Sequence, residues 1–246
     1  MRSCLIAGLL VLTALSVALN AEPQASVQPA EQALQRFMDH NRAERLGLRD
    51  VSMKVDIEAS LPGLQKEGKL SALRSISKLG KITYNMLEFV GDNMIKKDVI
   101  ARYIKAEVEA ASNGHAKAMA ISAANYRFHY HHTHADDYWK LHLFRLEPRR
   151  KEVGLFSGWM WIEDSTGLPV RESGRLVKSP SVFLSKIEFM RDYEPRDGIA
   201  VPTRVESKIE TRLVGVAELR IRFRDVSFEN RPAQIASRQF GDERNQ

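Results

Sequence analysis

The 246 residues suit one large all-β or α+β domain, and the only cysteine, Cys4, excludes both a disulfide and a thiolate metal centre. The formal charge of +6 is spread along the chain rather than gathered in a basic arm. That distribution argues against nucleic acid and leaves an anionic lipid surface or an acidic partner open.

In chain order, Arg2 is followed by an uncharged apolar run over residues 4–19, then Asn20-Ala21 and a polar stretch from Glu22. A basic start, an apolar centre and small residues at a boundary are the three parts of a secretory signal, with cleavage expected after Ala21. The apolar run of about 16 residues falls short of the ~20 that span a bilayer, so a membrane anchor is not expected. Cys4 stands at the start of the run instead of its end, so it is not the acylated cysteine of a lipoprotein. Loss of Arg2 with the signal lowers the charge from +6 to +5 and leaves a soluble periplasmic chain of about 225 residues.

Residues 22–28 read as a flexible leader. Pro29 suits the first turn of a helix striped by Ala30, Ala33, Leu34, Phe37 and Met38, ending near Gly47. Val51, Met53, Val55 and Ile57 alternate with polar residues as a strand closed by Pro62-Gly63. Strands are expected over 66–76 and 81–90, with Gly80 near their turn. Ile95, Val99, Ile100, Tyr103, Ile104 and Val108 stripe a second helix over 92–112, stopped by Asn113-Gly114. The rest is nearly all strand: 125–131, 138–147, 153–163, 168–178, 183–193 and a hairpin over 199–228. Turns fall at 132–137, 148–151, 164–167, 179–181 and 194–198.

In that hairpin Val201, Thr203, Val205, Ser207 and Ile209 point one way while Arg204, Glu206, Lys208 and Glu210 point the other. After Val214-Gly215, Ala217, Leu219, Ile221 and Phe223 oppose Glu218, Arg220, Arg222 and Arg224. Short connections pair neighbouring strands antiparallel, as a meander. The apolar face of such a sheet must be covered by helices, another sheet or a ligand. A single domain over 29–229 is expected, followed by a polar tail over 230–246.

The segments Phe144-Arg145-Leu146-Glu147-Pro148, Gly158-Trp159-Met160-Trp161-Ile162-Glu163-Asp164 and Leu168-Pro169-Val170-Arg171 resemble the outer-membrane lipoprotein carrier superfamily (LolA/LolB-like). So do Lys178-Ser179-Pro180-Ser181, Asp192-Tyr193, the strand at Pro202 and the Gly215 hairpin ending at Phe228. The resemblance covers residues 140–228, and extends upstream only in the order of elements. It implies a mainly β (α+β) fold, a curved antiparallel sheet forming an incomplete barrel of about eleven strands with its concave face plugged by two helices. It also implies a hydrophobic cavity, between helices and sheet, that holds acyl chains. Two striped helices and about ten strands, counted without the family, agree with that picture.

A cavity for a lipid tail needs apolar, adaptable walls, since each methylene buried stabilises by about 0.8 kcal/mol. The broad or deformable candidates are Phe37 and Met38 on the first helix, Tyr103 on the second, and Tyr84, Trp159, Trp161, Phe189, Tyr193 and Phe223 on strands. The same residues suit an ordinary core, because sequence shows which side chains face inward and not whether a void is left between them.

A second feature is the histidine-rich stretch from Tyr126 to His142. His129 and His131 share a strand face, His132 and His134 crowd the expected turn with Asp136 and Asp137, and a hairpin could return His142 towards His129. Imidazoles and carboxylates so spaced could hold zinc, copper or nickel, although they match no zinc signature, and an exposed polar hairpin accounts for them as well. No nucleophile elbow, His-Glu-x-x-His helix or phosphate loop occurs, so neither an enzyme nor a bound cofactor is expected. The expected function is binding of a lipid or of lipoprotein acyl chains, as a carrier in outer-membrane sorting, with transient contact at a membrane surface. The alternatives are an envelope sensor acting on a protein partner, and metal binding by the histidine hairpin.

Overall fold

The structure, a computed structural model, describes residues 24–112, 116–182, 184–196, 198–212 and 215–228. The expected signal and its cleavage site, and the polar tail over 230–246, lie outside them. The elements are α1 (Gln24–Gly47), β1 (Val51–Leu61), β2 (Lys66–Ile76), β3 (Ile82–Gly91), α2 (Ala101–Ser112), α3 (Ala116–Met119), β4 (Tyr126–Ala135) and β5 (Lys140–Pro148). Then come β6 (Phe156–Glu163), β7 (Pro169–Leu176), β8 (Leu184–Arg196), β9 (Ile199–Thr211) and β10 (Gly215–Phe228). A single 3₁₀ turn, Pro62–Leu64, joins β1 to β2, and a π-helical segment, Ile95–Ile100, leads directly into α2.

The ten strands form one antiparallel sheet in the order β3-β2-β1-β10-β9-β8-β7-β6-β5-β4. Every neighbour is also a chain neighbour except β1 with β10, so the meander folds back until its last strand lies beside its first. The sheet is curved and unclosed, with β3 and β4 as its two edges. Among the described residues no helix is long and apolar enough to cross a membrane.

Both predicted helices lie on the inner face. Ala30, Ala33 and Phe37 of α1 are buried against Tyr126, Phe144, Leu146, Phe156, Met160 and Ile162. At the other end, Ile95 and Ile100 of the π segment pack on the alternate residues Val51 to Leu61 of β1 and on Leu70, Ala72, Leu219, Ile221 and Phe223. Asp92 starts the second helix by accepting the Met94 amide at 2.7 Å and the Lys66 ammonium at 3.0 Å. The Lys66 contact comes first among the causes that hold its carboxyl below the ordinary range. Gly91, at φ +118°, allows the turn before it, because a Cβ there would lie 2.6 Å from the Glu67 carbonyl.

Three local expectations are corrected. Residues 24–28 of the expected leader are helical, so Pro29 sits inside α1 rather than in its first turn. β4 runs on through His132, Thr133 and His134 to Ala135, because those residues pair with β5 down to Lys140. The true turn spans Asp136 to Trp139, where the Asp136 carboxylate accepts the amides of Tyr138 at 2.9 Å and Trp139 at 2.7 Å. The barrel has ten strands among the described residues, where the family resemblance implied about eleven.

Candidate functional site

Strand register places one continuous row of inward side chains across nine strands: Leu70, Ile57, Ile221, Val205, Arg191, Glu172, Met160, Phe144 and Tyr130. Its two ends are apolar and lie beneath the helices, with Ile57 and Ile221 at 0% exposure on one side and Met160 at 0% on the other. The middle is different. On β8 and β9 the inward residues Ile187, Phe189, Arg191, Tyr193, Val205, Ser207 and Ile209 are only half-buried. The π segment and α2 cover β1 to β3, and α1 reaches β4, β6 and β9, leaving an interior strip between the two plugs.

Arg191 shows the character of this strip. It points inward from β8, and 43% of its side-chain surface is accessible. Its Nη1 donates to the Tyr193 hydroxyl at 3.2 Å and faces the nearly buried Glu172 carboxylate at 3.6 Å. Its guanidinium lies 5.9 Å from the centre of the Phe189 ring. Tyr193 first and Glu172 after desolvation hold this guanidinium above its ordinary value, so it stays charged.

A second charged group lies under α2. Arg74, 7% exposed, donates to Glu107 at 2.9 Å, and Tyr84 donates its hydroxyl to the other oxygen of the same carboxylate. Arg74 also sits 3.6 Å from the Met53 sulfur and 5.8 Å from the Phe223 ring centre. Burial pushes the phenols of Tyr84, Tyr103 and Tyr193 well above their ordinary value. All three are therefore neutral hydrogen-bonding groups at physiological pH. The interior thus combines two apolar clusters with a belt of paired arginines, carboxylates and tyrosine hydroxyls.

Of the nine sequence-predicted cavity residues, seven face the interior. Tyr84, Tyr103 and Phe223 belong to the cluster under α2, Phe37, Met38 and Phe189 to the one under α1, and Tyr193 to the polar belt between them. Trp159 and Trp161 do not join them. The inward phase of β6 is Phe156, Gly158, Met160 and Ile162, so the pleat turns both tryptophans to the opposite face. There they stack edge-on with His131 and His132, with ring centres 5.1 and 5.5 Å apart. Sequence reasoning missed Arg74, Glu107, Glu172 and Arg191. The signal was present: Arg74 follows Leu70 and Ala72 on the apolar phase of β2, and Arg191 follows Ile187 and Phe189 on that of β8.

The described histidines do not gather into one cluster of three or more. His129 pairs with Glu147 at 3.2 Å and His134 lies 3.7 Å from Asp136. Among the described residues no group of three or more His, Cys, Asp or Glu is gathered as a metal centre. His142 does not return to His129, because it points inward and is wholly buried. Its Nε2 lies 2.6 Å from Asp164 and its Nδ1 2.7 Å from the Thr133 hydroxyl, which in turn meets Tyr130 at 2.9 Å. This chain secures the β6–β7 turn, to which α1 is tied by Arg36 donating to the Asp164 carbonyl. Gly167, at φ +71°, lets the two backbones meet, since a Cβ there would lie 2.4 Å from the Arg36 Cβ.

A trough of about 700 Å³ crosses β3, β2, β1, β10, β9 and β8, where the inner-row residues Ala59, Gly68, Leu219, Ser207 and Phe189 alternate with two rows of charged side chains. Among the charged residues of its lining, Glu58, Lys69, Glu206 and Arg220 pair with one another.

No family model and no curated protein matches the sequence. Among solved structures the fold is similar to a DUF1329 family protein from Desulfovibrio piger, at 12% identity and a TM-score of 0.41 over 82% of this chain and 93% of the other. It is similar to a LolA superfamily protein from Nitrosomonas europaea, at 12% identity and a TM-score of 0.36 over 83% and 97%. A third neighbour is a putative outer-membrane lipoprotein-sorting protein domain from Vibrio parahaemolyticus, at 9% identity and a TM-score of 0.37 over 86% and 95%. The structure neighbours of this chain are thus DUF1329 and LolA superfamily proteins and a lipoprotein-sorting domain.

Proposed function

We propose that this is an exported, periplasmic binding protein whose half-barrel interior takes the acyl part of a lipid or lipoprotein, as a carrier. The observation that carries the reading is the half-buried strip on β8 and β9 between two fully buried clusters. An apolar inner face left open between two helical plugs is a concave site with walls of Phe189, Val205 and Ile209 and a few placed polar groups. Acyl chains fit such walls because burial of each methylene contributes about 0.8 kcal/mol without demanding any specific partner. The belt of Arg191, Tyr193 and Tyr103 offers hydrogen bonds to the ester or amide carbonyls that join acyl chains to their carrier molecules.

The test is displacement of a hydrophobic fluorescent probe from the folded protein. The expected result is saturable probe binding below the unfolding transition, reversed by long-chain fatty acid or by a lipoprotein. Probe binding that appears only as the protein unfolds would assign the strip to ordinary core and overturn the proposal.

A further inference from the structure

We propose that His131 and His132 form a two-coordinate site for copper(I) on the outer face of the sheet, independent of the interior site. The register between β4 and β5 shifts between Tyr130 and His132, and the resulting bulge breaks the alternation of side chains. Two consecutive histidines therefore reach the same side, where their rings lie 4.9 Å apart and their Nδ1 atoms converge to 2.6 Å. At that separation one nitrogen must donate a proton to the lone pair of the other. Once that proton moves to the ring's own Nε2, the other tautomer of the neutral imidazole, both Nδ1 lone pairs are free to hold one cation and no net proton is lost. With metal–nitrogen bonds of ~2 Å, linear coordination needs the two nitrogens about 4 Å apart. Both side chains are exposed on an edge strand, so rotation about their own bonds supplies that movement.

The surroundings select the ion. His129 is engaged by Glu147 and His134 lies near Asp136, so among the described residues no third imidazole or carboxylate joins the pair. Zinc, which takes four ligands, would find two here. Copper(I) accepts two nitrogen donors, and as a soft cation it gains from the electron-rich indoles of Trp159 and Trp161 beside the rings. Leu143, only 8% exposed although it pairs with His132 and Trp161 on the outer face, lies beneath this group and holds the patch together. The indoles also report on the site, because a copper ion bound at the imidazoles lies within contact range of both.

The experiment is anaerobic titration of the purified full-length protein with copper(I) against a colorimetric copper(I) chelator, read together with tryptophan emission. One equivalent of copper(I) should bind and quench the emission. H131A and H132A should each bind at least ~100-fold more weakly, and the same concentration of zinc should leave the emission unchanged. H131Q and H132Q, which retain bulk on the patch, provide the same comparison if an alanine variant unfolds. Absence of stoichiometric uptake, equal uptake by the H131Q/H132Q double variant, or equal affinity for zinc would each overturn the assignment.

Discussion

Ser207 sits in the inner row between Phe189 and Leu219, on the open part of the strip, so Ser207→Phe asks whether space remains there. Full burial of a phenyl ring covers ~150 Å² or more, which at ~25 cal/mol per Å² stabilises by about 4 kcal/mol. The strip is half-open, which halves the gain, and ordering the new side chain removes roughly 0.5–1 kcal/mol. The net expectation is stabilisation by about 1 kcal/mol, or a rise in Tm of about 2–4 °C for a chain of this size. In a filled interior the same ring would overpack and destabilise by about 1–3 kcal/mol. Urea unfolding measures the sign directly, with Ser207→Ala as the near-neutral control. The filled variant should also bind the hydrophobic probe at least tenfold more weakly. A loss of more than about 1 kcal/mol would refute the reasoning that the strip is a void.

Two further outcomes follow from the charged groups. Arg191→Met removes the guanidinium that faces the Glu172 carboxylate, 6% exposed, and should destabilise by about 1–3 kcal/mol. The larger loss of a wholly buried pair is not expected because 43% of the arginine side chain is accessible; adding Glu172→Gln should recover most of the loss in a double-mutant cycle, and no recovery would contradict the pairing. For Asp56, burial opposes ionisation, but the Ser71 hydroxyl, Arg224 and Lys69 outweigh it and hold the carboxyl below its ordinary value. Its contribution is therefore complete above the unfolded pKa of ~3.9 and is lost as pH falls through the lower folded value. Asp56→Asn should flatten the acid limb of a Tm-against-pH curve, and an unchanged limb would refute this.

How much of this was legible in the sequence varies with what sets each feature. Strand existence and order were readable because a half-buried sheet writes a period of two into its residues, as in Ala217, Leu219, Ile221 and Phe223 of β10, all buried. The curvature and the two plugging helices came with the family resemblance and the apolar stripes, and the structure has both. Aromatic type alone reads Trp159 and Trp161 as inward, whereas the phase of β6 is set by Phe156, Met160 and Ile162. The bulge at His131 was not readable, since one extra residue in an edge strand leaves no compositional mark. It moved two histidines to one face and carried β4 past the expected turn. The interior belt was readable in principle, as charges on an apolar phase, but its meaning depended on pairing across strands. Arg191 meets Glu172 from β7, and Arg74 meets Glu107 from α2, and neither contact has a fixed spacing in the chain.

The most direct measurement of the central claim is native mass spectrometry of the protein purified from a periplasmic extract without detergent. The account predicts a bound species carrying at least one long acyl chain, released on unfolding and absent from Ser207→Phe. Protein recovered at its bare mass, which also takes up no fatty acid when the two are mixed, would contradict it.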